Sequence, residues 1–411
     1  SVFGERTFLN EIRSVPSNTL LVLDAAVATI QKPSPYLPGE NLGSKSLGDA
    51  AEAMVARLRD LFATYAAVYG DRFYTALSGG YDSRLLLAAL LDAGITPDVF
   101  VYGHPDSKDV QVAREVTRQV GLKLSDSDQE TYPTDKMLEK FPAHIAHEFI
   151  IYDCSANTGQ FYGPQKTRSR LKRVSGAIAT NGSLGEVYRN FHYLPDRRFS
   201  PLDVVNAFYF QLDPAACTGE FSQEEYSETL ATEMSRAIGH TGGLLEREQV
   251  EMLYPLFRGR YWSACDAAIN QRFGTIVYPY MEAEVVRPTY ALPLRYKSMG
   301  RLEAEMIRIL NPALAAVNSD YGFAFDQAPS LPYRLSYLQS SYRPTWLRKY
   351  TYRIRHRKPA PLPYFLTEPY LSLVIDTSFP HLSKFFHIDR VFNAEAYNRV
   401  ATMEYVMQNW N

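Results

Sequence analysis

Apolar residues recur at helical spacing between 51 and 69 (Met54, Leu58, Leu61, Phe62, Tyr65), which predicts an amphipathic helix. A short apolar run over 73–77 follows, then a turn with two adjacent glycines, then the leucine-rich stretch 82–93. The order is therefore helix, strand, tight turn, helix. Residues 97–102 read as a second strand and 108–120 as a helix, with Gly121 as its stop signal. Residues 175–180 form a later buried strand that ends in another glycine-bearing turn, 181–186. Strands that alternate with helices imply a parallel sheet, and the ligands of such sheets lie beyond the strand C-termini. Both glycine turns are expected to meet there.

Outside this stretch, residues 6–24 read as a pair of short β segments, with 19–23 the clearest strand. Residues 32–48, rich in Pro, Gly and Ser, read as a linker. Beyond about residue 200 the pattern turns helical. Segments 222–238 and 246–269 fit amphipathic helices, with Ser222 and Glu225 in capping-box positions. Residues 277–281 interrupt the helices, and 301–310 resumes them before Pro312. The sequence shows no internal repeat and no low-complexity tract.

The chain has 411 residues, 46% of them hydrophobic and 21% charged, which predicts a globular protein of two or three structural units. A formal net charge of −2 removes any overall polyanion-binding signature, so nucleic acid is not an expected partner. Cys154, Cys217 and Cys265 are widely spaced and odd in number, which indicates neither a disulfide framework nor a zinc site and fits a reducing, cytoplasmic setting. There is no apolar signal core at the start and no run of 18 apolar residues, so a soluble protein with no membrane partner is expected. The 29 tyrosines and 22 phenylalanines could line a site for a bulky substrate, although core packing is the commoner use of any one ring.

The first turn carries the clearest chemistry. Leu77 closes the strand and Ser78-Gly79-Gly80-Tyr81-Asp82-Ser83 follows it. Glycines at 79 and 80 let backbone N–H groups approach an anion, the next helix points its positive end at the same place, and Ser78 and Ser83 add hydroxyl donors. Asp82 would repel phosphates unless a divalent cation lay between, so ATP with Mg²⁺ is the expectation. The lysine that a P-loop needs after its glycines is missing. A Gly-Gly pair alone is usually a plain turn; it is the whole string, set between a strand and a helix, that points to a nucleotide.

These residues resemble the synthetase domain of asparagine synthetase-like proteins. The likeness rests on Ser78–Ser83, on the second glycine turn ending in Glu186, and on Tyr278-Pro279-Tyr280-Met281-Glu282, and it spans roughly residues 6–325. It implies an α/β fold, a Rossmann-like PP-loop sheet of the adenine-nucleotide α-hydrolase type followed by a mainly helical section. Residues 1–50 would be a remnant of the glutaminase-side linker, 51–325 the ATP pyrophosphatase domain, and 326–411 a C-terminal extension. The implied reaction joins AMP to a small-molecule or peptide carboxylate, releases pyrophosphate, and lets an amine or ammonia form an amide. By the same likeness Leu77, Ser78, Gly79, Gly80, Asp82, Ser83 and Gly182 contact nucleotide phosphates, Val101, Tyr102 and Gly103 read the adenine, and Asp82 with Glu186 holds the metal. Tyr152-Asp153-Cys154 loosely matches a segment lining the acceptor pocket. A homodimer is compatible with the family.

Three departures stand out. The family's second turn, Ser-Gly-Glu-Gly-x-Asp-Glu, reads here Thr180-Asn181-Gly182-Ser183-Leu184-Gly185-Glu186, with one acid in place of three. Two registers are open, and Glu186 matches either the metal-binding aspartate or the glutamate after it. The family's loop lysine is missing from Asn318-Ser319-Asp320-Tyr321-Gly322-Phe323, which leaves Lys297, with Arg295, as a substitute cation at the polyphosphate. A glutaminase of this type needs an N-terminal cysteine, whereas the first cysteine here is Cys154, which leaves three expectations open: the domain was removed, ammonia comes from elsewhere such as a separate glutaminase, or the nucleophile is an amine on another molecule.

Seven basic residues lie between Arg343 and Lys358 with no acid among them. This run reads either as a solvated, partly helical face or as a surface for RNA, which would suit an RNA-modifying ATP pyrophosphatase. His192 is a candidate acid or base, while Glu282 and Glu284 read as surface carboxylates near the acceptor pocket. A degenerate, non-catalytic nucleotide-binding protein is the remaining alternative.

Overall fold

The computed structural model describes residues 3–7, 9, 11–15, 19–24, 27–31, 45–127, 135–152, 159–161, 176–209, 213–355 and 361–409. An antiparallel pair, β1 (Leu20–Asp24) and β2 (Val27–Gln31), precedes the main body. Helix α1 (Leu47–Tyr69) opens with a capping box in which Ser46 and Asp49 satisfy each other's backbone N–H. It buries Met54, Val55, Leu58, Phe62 and Tyr65, as its spacing predicts.

Five parallel strands follow in the order β5-β4-β3-β6-β7: β3 Phe73–Ala76, β4 Asp98–Tyr102, β5 Leu124–Ser127, β6 Ile178–Thr180 and β7 Ile276–Val277. The sheet and its helices make the fold α/β. From β3 the chain works outward through β4 to β5, and then returns to place β6 on the opposite side of β3. The order thus reverses between β3 and β6, the place where open α/β sheets bind ligands. Helices α2 (Tyr81–Asp92) and α3 (Lys108–Gln119) connect the first strands, and α3 ends where Gly121 takes a positive φ of 68°. Strand β5 reads Leu-Ser-Asp-Ser, too polar to announce itself. Strand β7 lies where the sequence showed only an interruption among helices.

The remaining helices are α4 (Asp135–Tyr152), α5 (Pro201–Phe208), α6 (Gln223–Ala237), α7 (Arg247–Leu253), α8 (Ala264–Gln271), α9 (Arg301–Leu310), α10 (Leu331–Tyr342), α11 (Thr345–Arg355) and α12 (Ala394–Asn409), with shorter turns between them. The expected single helix over 246–269 is broken: α7 passes into a π-helical stretch, Tyr254–Ser263, before α8. At α6 Ser222 accepts the Glu225 N–H as expected.

One core lies between the sheet, α1, α2 and α9 and includes Leu58, Leu77, Leu87, Val101, Leu302 and Met306. The other face of the sheet buries Tyr74, Ala179, Ile276 and Tyr278. A separate core joins Phe141, Ile145 and Phe149 of α4 to Leu371, Phe379 and Tyr405 near the end of the chain. Position 325 is therefore not a packing boundary, because residues well beyond it share a core with α4. Most of the expected linker, 32–44, lies outside the described residues, as do Asp153 and Cys154. Cys217 and Cys265 are free thiols, and among the described residues no helix is long and apolar enough to cross a membrane.

Candidate functional site

The turn after β3 and the turn after β6 meet at the C-terminal edge of the sheet, as the alternation predicts. In the first turn Ser83 Oγ accepts the Ser78 N–H at 3.0 Å and lies 2.9 Å from Ser78 Oγ, so the two hydroxyls clamp the loop. Gly80 caps α2 with φ −87° and no side-chain cap, which leaves the first N–H groups of the helix open for an anion. The Gly79 N–H already donates to Asp109 Oδ1 at 2.7 Å. A carboxylate from α3 thus rests where the sequence predicts a phosphate.

The segment expected to supply a lysine covers this turn with an acid instead. A Cβ on Gly79 would stand 2.6 Å from Asp320 Cβ, so only glycine fits beneath that loop. Burial, with Asp109 nearby, raises the Asp320 carboxyl above its usual range. Two side chains of α2 hold the cover down. The buried Arg84 guanidinium donates to the carbonyls of Leu314 (3.4 Å), Val317 (2.5 Å) and Asn318 (3.1 Å), and Tyr81 stacks on Phe325 with ring centroids 4.0 Å apart.

Asp82 faces the second turn. A Cβ on Gly185 would stand 2.6 Å from Asp82 Cγ, and one on Gly182 3.4 Å from the Asp82 carbonyl oxygen. Glu186, one residue beyond Gly185, accepts a hydrogen bond from Tyr254, the first residue of the π-helical stretch. Such stretches are rare and concentrate at functional sites. Gly259 in the same stretch packs on Leu184, whose φ of 78° turns the chain into the Glu186 segment.

The centre of the cluster is Arg189, which the sequence reading passed over. Its Nη2 donates to both Asp82 oxygens at 2.8 and 2.6 Å and lies 3.8 Å from Glu186, and its Nε lies 3.2 Å from Glu303. Its Nη1 donates to Tyr321 Oη at 3.4 Å, and the guanidinium lies 5.5 Å from the centre of the Tyr81 ring. Glu303 is fully buried, and burial beside Asp82 drives its carboxyl well above the usual range. Burial likewise pushes Asp82 up to about 6, against the pull of Arg189. Glu303 could have been found from sequence as the one acid on the apolar face 302, 303, 306, 307, 310 of α9. Nothing in the sequence around 189 singles out the arginine.

These residues do not fit a divalent cation. Both Asp82 oxygens are committed to a guanidinium, burial disfavours the charged form of Glu303, and Gly185 supplies no ligand where it touches Asp82. Among the described residues no group of three or more His, Cys, Asp or Glu side chains is arranged to hold a metal.

Other expected residues sit as follows. Val101 is buried, Tyr102 is 40% exposed, and Gly103 turns at φ 135° at the end of β4, on the same sheet edge as the two turns. Lys297, expected to face the polyphosphate, instead forms a buried ion pair with Glu251, which Arg247 also engages. Burial lowers its ammonium pKa, and the Glu251 charge opposes this. His192 is buried, and burial takes it down to about 3. Glu282 and Glu284 are exposed. In the basic run, Arg348 turns inward and donates to the carbonyls of His192 (2.9 Å), Ala207 (3.2 Å), Tyr193 (2.5 Å) and Ser340 (3.0 Å). It ties α11 to the segment after the second turn, while Trp346, Tyr350 and Ile354 face outward.

In comparisons with known proteins, no family model and no curated protein matches the chain.

Proposed function

We propose that the chain is an AMP-forming amide synthetase that works in the cleft above β3 and β6. The observation that carries this reading is the reversal of strand order between these two strands, each followed by a glycine turn. In the proposed reaction an oxygen of a carboxylate substrate attacks the α-phosphorus of ATP and pyrophosphate leaves. The nitrogen of ammonia or an amine then attacks the acyl carbon, AMP departs, and the amine proton passes to solvent or a base. Leu77 and Gly79–Ser83 would cradle the leaving pyrophosphate through backbone N–H groups, the Ser78 and Ser83 hydroxyls and the positive end of α2. Val101, Tyr102 and Gly103 would bound the adenine, and Gly182 would keep the second turn close. Mg²⁺ would enter with the nucleotide, since Asp82 and Glu186 do not fit it. The test is incubation with ATP, Mg²⁺, a panel of carboxylates and ammonia. Equal release of AMP and pyrophosphate, lost in a Ser78→Ala, Ser83→Ala double variant, is expected; formation of ADP overturns the mechanism.

A second reading, a nucleotide-binding protein without catalysis, is favoured by a specific observation. The Gly79 N–H and the Asp82 carboxylate are already satisfied by Asp109 and Arg189. Saturable ATP binding with no pyrophosphate from any carboxylate selects it.

A further inference from the structure

We infer that Arg189 is a resident cation standing in for a divalent metal, and that Gly185 and Arg189 form a matched pair that keeps the metal out. The inference rests on the packing of the second turn, whichever chemistry the cleft performs.

Asp82, Glu186 and Glu303 come from three distant parts of the sequence and converge on one point. Carboxyl groups so close need a positive partner, because any two that ionise together in a poorly solvated site repel strongly. A metal ion would meet that need with oxygen ligands arranged in three dimensions. Arg189 meets it with a planar fork: Nη2 serves Asp82 and lies toward Glu186, Nε lies toward Glu303, and Nη1 donates to Tyr321. Both terminal nitrogens of the guanidinium donate to oxygen atoms of the cluster, and Nε lies 3.2 Å from a third.

Gly185 makes this arrangement fit. A Cβ there would stand 2.6 Å from Asp82 Cγ and 2.9 Å from Asp82 Cβ, inside ordinary contact. Any side chain at 185, a carboxylate included, would push Asp82 away from the guanidinium. Arg189 follows four residues later, just past the short 3₁₀ turn Gly185–Tyr188, which presents Glu186 and Arg189 to the same carboxylate. Gly185 and Arg189 thus act as one structural unit, the first clearing the space in which the second meets Asp82. The unit supplies a covalently attached cation in place of an exchangeable one, so the charge at Asp82 does not depend on dissolved metal.

The test uses Mn²⁺ alone as the probe, read by electron paramagnetic resonance on the full chain without nucleotide. The wild type is expected to bind no more Mn²⁺ than the Asp82→Asn variant. Exchanging the pair, Gly185→Asp with Arg189→Gly, is expected to create a site at least tenfold tighter than any in the wild type and to lose it when Asp82→Asn is added. Arg189→Met, which keeps bulk and removes the charge, gives a second reading should the exchanged protein fail to fold; it is expected to bind Mn²⁺ more tightly than the wild type. Mn²⁺ bound by the wild type and lost in Asp82→Asn overturns the inference. So does a folded Arg189→Met protein with no gain in Mn²⁺ binding. A failed synthetase assay leaves each of these outcomes unchanged, so the two proposals stand or fall separately.

Discussion

The two glycine turns sit on neighbouring strands of one sheet edge, yet they have opposite characters. The turn over 78–83 has clamped hydroxyls and an uncapped helix start, a shape that suits an anion, although a carboxylate from α3 already rests on Gly79. The turn over 181–186 carries a single acid, Glu186, and is organised around a cation three residues beyond it. Backbone shape and local charge are therefore separable properties of such a site. Shape comes from glycines and strand geometry within one segment, whereas charge is settled by side chains that arrive from elsewhere.

The contrast is open to direct attack. The largest effect is expected from Arg189→Ala, which leaves three carboxyl groups without their cation and costs about 3–5 kcal/mol in urea unfolding, whereas Glu303→Gln costs under about 1 kcal/mol because burial already favours the uncharged form of Glu303. Equal losses in the two variants would mean that Arg189 is not the hub. Next, Gly185→Ala forces atoms into Asp82 and should cost about 1–3 kcal/mol. By contrast, Gly80→Ala meets nothing nearer than 3.6 Å and should unfold within about 1 kcal/mol of the wild type while weakening ATP binding. A Gly80→Ala protein with unchanged ATP affinity would remove the first turn from the nucleotide site.

Acid should strain the segment after the second turn. His192 is held neutral down to about 3 in the fold but titrates near 6.5 when unfolded, so its contribution is present above pH 6.5 and is lost as the pH falls toward 3. Unfolding at pH 7 and pH 5 should differ by about 2 kcal/mol from this group, a difference that His192→Phe removes. The smallest effect belongs to Asp109→Asn. It should change stability by about 1 kcal/mol at most, since the residue is exposed, and raise ATP affinity by a few fold in a fluorescence titration by removing a charge from the cradle.

The scaffold of the first turn was legible because its information is local. The strand at 73–76, its two glycines and the helix from 81 follow one another in sequence, and each is signalled by apolar runs or by glycine chemistry. Helix 301–310 was legible for the same reason. Strand β5 was not, because an edge strand needs no apolar pattern, and β7 has only two residues. The π-helical register at 254–263 leaves no periodic trace that separates it from an α-helix. At the site, Asp109, Asp320 and Arg189 act through partners far along the chain, and residue type alone does not tell a solvated charge from one that completes a cluster. Lys297 shows the same limit from the other side: a cation that suits a polyphosphate by chemistry is committed to Glu251 by packing.

The core shared by α4 and the last helices has a consequence for how the molecule is made. When the ribosome has completed α4, the residues that cover Phe141, Ile145 and Phe149 are still roughly 10–50 s from being synthesised. Through that interval the nascent chain carries a sticky apolar stripe. Chaperone demand and sensitivity to premature stop codons should therefore be governed by the far end of the reading frame, long after both glycine turns have left the exit tunnel.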